Sequence, residues 1–255
     1  MKSATVLAAH DDAMNAASRA GVTIEPLTTP DELDELRAVM EEVWGASIVP
    51  PRNLLRGLAI GGSCLLIARR RSSTVGFALG WLGWNRGVHL HSHQVGTSES
   101  ERRTGVGLAL KLAQRSLCLE AGIHEIRWTF DPLLYANARF NLIRLGAEVV
   151  DFIPHCYGNR VDRFNDGEIT DRFEVSWRLD SRLGSVPREP QPGEEVIEIP
   201  QDYSALRANE PDRAREVRRE VGARLASRFG DNHRVIGMNE RGYVLARSTK
   251  QKVGA

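Results

Sequence analysis

His91-Ser92-His93-Gln94-Val95-Gly96-Thr97-Ser98-Glu99-Ser100-Glu101-Arg102-Arg103-Thr104-Gly105-Val106-Gly107 is the stretch on which the reading of this chain turns. It begins as a buried strand with histidines alternating at 89, 91 and 93, so all three are expected on one face. A short polar loop follows, then an Arg-x-x-Gly-x-Gly turn that opens a helix over Gly105 to Ala121. Thr104 is expected to cap that helix and Gly122 to end it. Consecutive backbone N–H groups at a helix N-terminus, unobstructed by side chains at Gly105 and Gly107, make a cradle for an anion. Arg102 and Arg103 add positive charge. No Gly-Lys-Ser/Thr follows, so this is not a P-loop. The elements before it are antiparallel, so it is not a dinucleotide fingerprint either. A plain strand-to-helix turn is the alternative reading of the glycines.

Working outward, Val22 to Leu27 forms a short strand, and Thr29-Pro30-Asp31-Glu32 starts a helix with Leu33, Leu36, Val39, Met40 and Val43 at helical spacing. A second helix runs from Pro51 through Leu54, Leu55 and Leu58 to Gly61-Gly62. Strands follow over Ser63 to Arg69, Val75 to Trp84 and Val88 to Val95, with Asn85-Arg86-Gly87 as a hairpin turn. After the glycine-turn helix come a strand from Ile123 to Phe130, a helix from Ala136 to Leu145, and strands over Ala147 to Phe152 and Arg172 to Leu179. This is a mixed α/β sheet rather than a series of βαβ units. Residues 1–21 form a helical or frayed N-terminal extension and 22–180 the main domain. Residues 181–194, rich in proline, glycine and charge, read as a linker. Residues 195–255 then form a small βαββ segment. About sixty residues are marginal for independent folding. The segment is therefore expected to dock on the main sheet or on a second copy of the chain, which leaves a homodimer open.

At 255 residues, 42% hydrophobic and with a formal net charge of +1, the chain is of ordinary composition for a water-soluble protein. It lacks the dense positive surface that nucleic acid requires, and no apolar run approaches a membrane span. The three cysteines, Cys64, Cys118 and Cys156, are odd in number and scattered, which fits a reducing cytoplasm rather than a disulfide framework or a metal site.

These residues resemble the GNAT superfamily of acyl-CoA-dependent N-acyltransferases, whose signature is Arg/Gln-x-x-Gly-x-Gly/Ala between the fourth strand and the third helix. The order of elements from Val22 to Phe152 is similar to the GNAT core. One branch of predicted acetyltransferases is similar in more detail, through Leu90 to His93, Trp128 to Leu133, Asn137 to Asn141 and Leu145-Gly146-Ala147. Tyr157-Gly158, Asp171-Arg172-Phe173 and Trp177 resemble the same branch. The resemblance implies a mostly antiparallel mixed sheet, flanked by helices and splayed between strands 4 and 5 to admit the pantetheine arm of acetyl-CoA or a related acyl-CoA. It implies that the backbone near Val95 and Thr97 bonds that arm, and that an N–H at or beside Val95 polarises the thioester carbonyl. Arg102 and the N–H groups of Arg103, Thr104, Gly105, Val106, Gly107 and Leu108 would take the pyrophosphate, with Asn137 or Asn141 near the cofactor.

The attacking ammonium must lose a proton, and histidine titrates in the right range. His93 is the expected base, with His91 beside it; a His-x-His pair here also resembles the arylalkylamine N-acetyltransferases. A core role for the histidines and a metal site on the strand are the competing readings, and no acid or cysteine lies at ligand spacing. The family's usual acid, a tyrosine four residues before the helix-ending glycine, is replaced by Leu142. Tyr135, Tyr157 or water are the remaining sources of that proton, and Tyr157 is the expected one. Trp81, Trp128 and Phe130 read as core or groove walls, Asp131-Pro132 as a strand-ending turn and Asp171-Arg172 as a surface ion pair. The arginines from Arg213 to Arg228 read as a solvated helix face, with Arg218 or Arg219 alternatively receiving a substrate carboxylate. The expected function is transfer of an acetyl or other short acyl group to a primary amine of a small molecule, without a metal. A different acyl donor (succinyl-CoA or a carrier-protein thioester) and a catalytically silent CoA-binding module are the alternatives.

Overall fold

The computed structural model describes residues 3–27, 29–158, 161–162, 165–166, 169–181 and 183–248. It divides into two compact units. The first comprises Met1–Arg127, Asp162–Phe164 and Arg178–Asp180, and the second Trp128–Val161, Asn165–Trp177 and Ser181–Ala255.

In the first unit, α1 (Ala4–Ala20) is held at its start by the Ser3 hydroxyl, which accepts from Val6 N, and at its end by Gly21 in the left-handed region. Its buried side is all alanine, at 9, 13, 16, 17 and 20, and this narrow stripe lets it lie against α4 (Val106–Glu120). β1 (Thr23–Pro26) leads to α2 (Glu32–Trp44). Thr29 and Glu32 form a reciprocal capping box there, with Thr29 N donating to Glu32 Oε2 at 2.8 Å and Glu32 N to Thr29 Oγ1 at 3.4 Å. The five apolar residues read from the helical period are the five that α2 buries. α3 (Arg52–Ile60) follows. Then come the antiparallel strands β2 (Cys64–Arg70), β3 (Ser73–Gly83) and β4 (His89–Thr97). Leu65, Ile67, Phe77 and Leu79 of β2 and β3 make one core with Leu33, Leu36, Met40 and Leu55 of α2 and α3. Gly76 of β3 turns to the opposite side, toward Val106 and Leu110 of α4.

β5 (Glu125–Phe130) begins in the first unit and continues into the second. It pairs with β4 in parallel, at Leu90↔Ile126 and His91↔Arg127. The second unit continues through α5 (Tyr135–Arg139), a π-helical turn (Phe140–Leu145) and β6 (Glu148–Ile153). Two-residue strands β7 (Val161–Asp162) and β8 (Asn165–Asp166) precede β9 (Arg172–Arg178), which is antiparallel to β6. The seven-stranded sheet has the order β1-β2-β3-β4-β5-β9-β6, mixed because β4 and β5 are parallel.

The C-terminal segment is β10 (Glu195–Glu198), α6 (Tyr203–Asn209), α7 (Pro211–Gly230), β11 (His233–Met238) and β12 (Gly242–Arg247), with sheet order β10-β12-β11. It shares an aromatic core with the strands of its own unit. Phe173 lies 5.0 Å from Tyr243 and 5.8 Å from both Phe229 and Phe152, ring centre to ring centre. Tyr243 also donates its hydroxyl to Pro132 O at 2.7 Å. Among its described residues the stretch read as a linker has neither helix nor strand but is anchored, Ser185 Oγ donating to Leu142 O and Arg188 N to Met238 O. No helix among the described residues is long and apolar enough to cross a membrane.

Candidate active site

β4 and β3 run in step until Gly80↔Ser92, and the next pair is Leu79↔Gln94. His93 is therefore an extra residue, a β-bulge, and the alternation read from the sequence breaks there. His91 and His93 still share a face: their rings are 5.9 Å apart, and both lie against Trp81, at 5.3 and 4.7 Å. Beyond the bulge the faces exchange. Strict alternation would put Val95 and Thr97 beside His91, but it is Gly96 whose side turns to Phe77 and Val43. His93 is exposed and His91 half-buried. His89 is taken up by the hairpin. It is buried, with Nδ1 2.8 Å from Gly87 O, and Gly83 is bare where its ring lies.

Within the first unit β4 pairs with β5 at Leu90 and His91, and β4 continues to Thr97 against β3. Gln94 Oε1, next to the bulge, is buried without a hydrogen-bond partner among the described residues.

Ser92 points to the other side of the sheet, where it meets a group the sequence reading missed. Lys111 of α4 donates from Nζ to Ser92 Oγ at 2.9 Å, and Ser92 Oγ donates to Gln114 Oε1 at 2.9 Å. Gln114 Nε2 contacts Cys64 Sγ at 3.8 Å. Burial lowers the Lys111 pKa to about 7 and raises Cys64 to about 11; burial raises Cys118 and Cys156 as well. The signal was present in Leu110-Lys111-Leu112, a charge inside the apolar part of a helix, but α4 is covered on further sides by α1, which no local pattern reveals.

The turn into α4 differs from expectation in its cap. Gly105, at φ 99°, occupies the N-cap position, and no side chain bonds the first helical N–H groups. The Thr104 hydroxyl is drawn away, donating to Glu101 O at 2.8 Å and contacting Glu101 Oε2 at 3.1 Å. Arg103 is also left-handed, at φ 67°. The N–H groups of Val106, Gly107 and Leu108 thus open a helix with no side-chain cap, and a Cβ at Gly107 would meet nothing within 4 Å. Arg102, Arg103, Thr104 and Gly105 are all exposed. A bare, uncapped helix start with positive charge fits a pyrophosphate.

The remaining candidates lie in the second unit. Asn137 is exposed on α5; Asn141 is buried in the π-helical turn, with Nδ2 3.5 Å from Asn137 Oδ1. Leu142 is buried in the same turn and contributes only a carbonyl, bonded by Ser185. Tyr135 OH accepts from Arg139 at 3.5 Å. Tyr157 is partly exposed, its hydroxyl 2.9 Å from Thr129 Oγ1 and its ring 5.5 Å from the Arg172 guanidinium. Asp131 is more than a turn residue. Its Oδ1 accepts from Leu133 N, and its Oδ2 takes Arg218 at 2.8 Å and Arg172 at 3.8 Å. Arg218 is therefore not on a solvated face: it is buried, also donating to Tyr203 OH, while Arg213 keeps the expected helix-surface pairing with Glu216. Burial opposes the Arg218 charge, and Asp131 more than offsets it, so its pKa is raised. Asp171 and Arg172 are not a surface ion pair. The buried Asp171 carboxylate accepts from His155 N, and the Arg172 guanidinium donates to the Asp171 backbone carbonyl instead. Among the described residues no group of three or more His, Cys, Asp or Glu could hold a metal.

No family model matches the chain, and no curated protein matches it. Solved structures do. The ribosomal-protein-S18-alanine N-acetyltransferase from Escherichia coli aligns with a TM-score of 0.50 at 11% identity, over 63% of this chain and 96% of that one. Ard1 from Thermoplasma volcanium aligns at 0.48 and 20%, over 65% and 99%. A GNAT family acetyltransferase from Elizabethkingia anophelis with acetyl-CoA bound aligns at 0.45 and 14%, over 62% and 98%. The chain has the GNAT fold.

Proposed function

We propose that this protein is a CoA-dependent N-acyltransferase, moving an acetyl or other short acyl group from acyl-CoA to a primary amine of a small molecule by direct attack in a ternary complex. The observation that carries this reading is the bulge at His93, on the strand that leads into an uncapped helix start. The N–H groups of Val106, Gly107 and Leu108, with Arg102 and Arg103, hold the pyrophosphate. The edge of β4 around Val95 and Thr97 holds the pantetheine arm. Asn137 of α5 or Asn141 of the π-helical turn contacts the cofactor. His93, assisted by His91 or a water, takes a proton from the substrate ammonium, and the freed nitrogen attacks the thioester carbon. A backbone N–H at or beside Val95 donates to the resulting oxyanion. The C–S bond then breaks, giving the amide and a thiolate that takes a proton from Tyr157. All three cysteine thiols are pushed up by burial, which supports direct attack over an acyl-cysteine route.

The test is thiol release from a panel of acyl-CoAs with pooled amines. His93→Ala is expected to lower kcat about a hundredfold, as loss of a general base does, with the KM for acyl-CoA within about twofold. Absence of CoA binding would sink the reading. Tight CoA binding without turnover on any amine would assign a regulatory CoA-binding module, the reading favoured by the buried Leu142 at the family's usual tyrosine position.

A further inference from the structure

The two left-handed residues of the cradle, Arg103 and Gly105, are held from behind by a chain of contacts reaching the N-terminal helix. Thr104 donates to Glu101, and the Glu101 carboxylate is gripped on both oxygens by Arg70, Nε to Oε1 and Nη2 to Oε2, each at 2.8 Å. Arg70 is the last residue of β2 and continues to the end of α1. Its Nη2 donates to Ala20 O at 2.9 Å and its Nη1 to Gly21 O at 3.3 Å. Gly21 leaves room for this, since a Cβ there would stand 2.8 Å from Arg70 Nη1. The end of α1 also abuts the cradle directly, Ala20 Cβ being 3.6 Å from where a Gly105 Cβ would lie.

The electrostatics make this arrangement specific. A site for a pyrophosphate should have no uncompensated negative charge beside it, yet two negative features stand here. One is the Glu101 carboxylate; the other is the carbonyl end of α1, where the helix dipole is negative. One guanidinium, forked and fixed on a strand end, neutralises both. The bonds from Arg70, and then from Thr104, also favour the charged form of Glu101 and lower its pKa.

We propose that Arg70 is a positioning residue of the acyl-donor site, coupling α1 to the pyrophosphate cradle through Glu101 and Thr104, so that α1 is a working part of that site. This rests on the acyltransferase reading above. Arg70 need not touch the donor; it sets the shape of the turn and removes the repulsion around it.

Binding of acetyl-CoA and of S-acetylpantetheine, which has the thioester arm but no pyrophosphate, is measured by calorimetry on the full chain. Arg70→Met is expected to weaken acetyl-CoA about tenfold, with the loss shrinking at high salt, while S-acetylpantetheine stays within about twofold. Adding Glu101→Gln to Arg70→Met removes the exposed charge and should recover acetyl-CoA to within about threefold of wild type. Arg70→Lys, which keeps charge but loses the fork, should fall between. Unchanged acetyl-CoA binding in Arg70→Met, or an equal loss for both ligands, overturns the proposal. Wild-type protein that binds neither ligand overturns the acyltransferase reading itself, and this inference with it.

Discussion

Lys111 carries an amine into a place nearly without water, and its consequence is measurable without knowing any substrate. Burial lowers its pKa from 10.5 to about 7. Between those values the unfolded chain holds a proton that the folded chain has lost, so stability rises with pH across the window. The slope is at most about 1.4 kcal/mol per pH unit. Urea unfolding should show wild type more stable at pH 9 than at pH 7, and Lys111→Met should remove that increase. Above pH 9 Cys64, raised toward 11, opposes it, so the comparison ends there. Arg218 and Asp131 give a second test at this scale. Arg218→Met leaves a largely buried carboxylate with Arg172 at 3.8 Å, and should cost about 3–5 kcal/mol in denaturant unfolding. Adding Asp131→Asn should return part of the loss. Both residues were visible in the sequence as charges, but not as buried ones. Arg218 stands in a helix so rich in arginine that the pattern reads as solvated, and its partner is 87 positions away.

Among the elements, β4 and the start of α4 show what a local pattern can and cannot carry. The histidine pair, the glycine turn and the helix after it were legible because each is a short-range signal: alternation, positive φ, period. The bulge was not, because one extra residue appears only when a strand is compared with its partner. Thr104 was legible as a cap and is not one, since Glu101 offers its hydroxyl two oxygens at closer hand. Two glycine substitutions separate fold from function here. Gly107 sits in open space inside a helix, so Gly107→Ala should raise stability by up to about 1 kcal/mol in thermal melts. It should also weaken acetyl-CoA binding if the backbone must approach a phosphate there. Gly80→Ala puts a Cβ 2.8 Å from His91 O and 3.3 Å from Ser92 Cα, both backbone. It should cost about 1–3 kcal/mol by forcing β3 from β4 beside the bulge, and lower turnover with it.

For the chain as a whole, the succession of strands and helices was readable through most of its length, but the βαββ reading of the C-terminal segment missed α6, so that two helices stand between its first strand and its hairpin. The order of strands in the sheet was not, because β9 inserts between β5 and β6, and pairing between distant segments leaves no mark on either alone. The docking of the C-terminal segment was likewise nonlocal. Phe229 of α7 and Tyr243 of β12 complete the core around Phe152 and Phe173. A chain ending before Glu195 would leave those two rings uncovered. It is expected to lose cooperative unfolding in calorimetry and to bind a hydrophobic dye, whereas wild type should not.

The extra residue at His93 has one more consequence, which concerns solubility rather than chemistry. A strand that has lost its neighbour is a template onto which a strand of another molecule can add, the route by which exposed edges lead to aggregation. From Ser92 to Thr97 this chain would carry such an edge if, as proposed above, the same backbone groups take the acyl donor. The bulge at His93 kinks that stretch and would put it out of step with any regular incoming strand, so that under the proposed function the donor's short flexible arm could lie where a foreign β-strand could not.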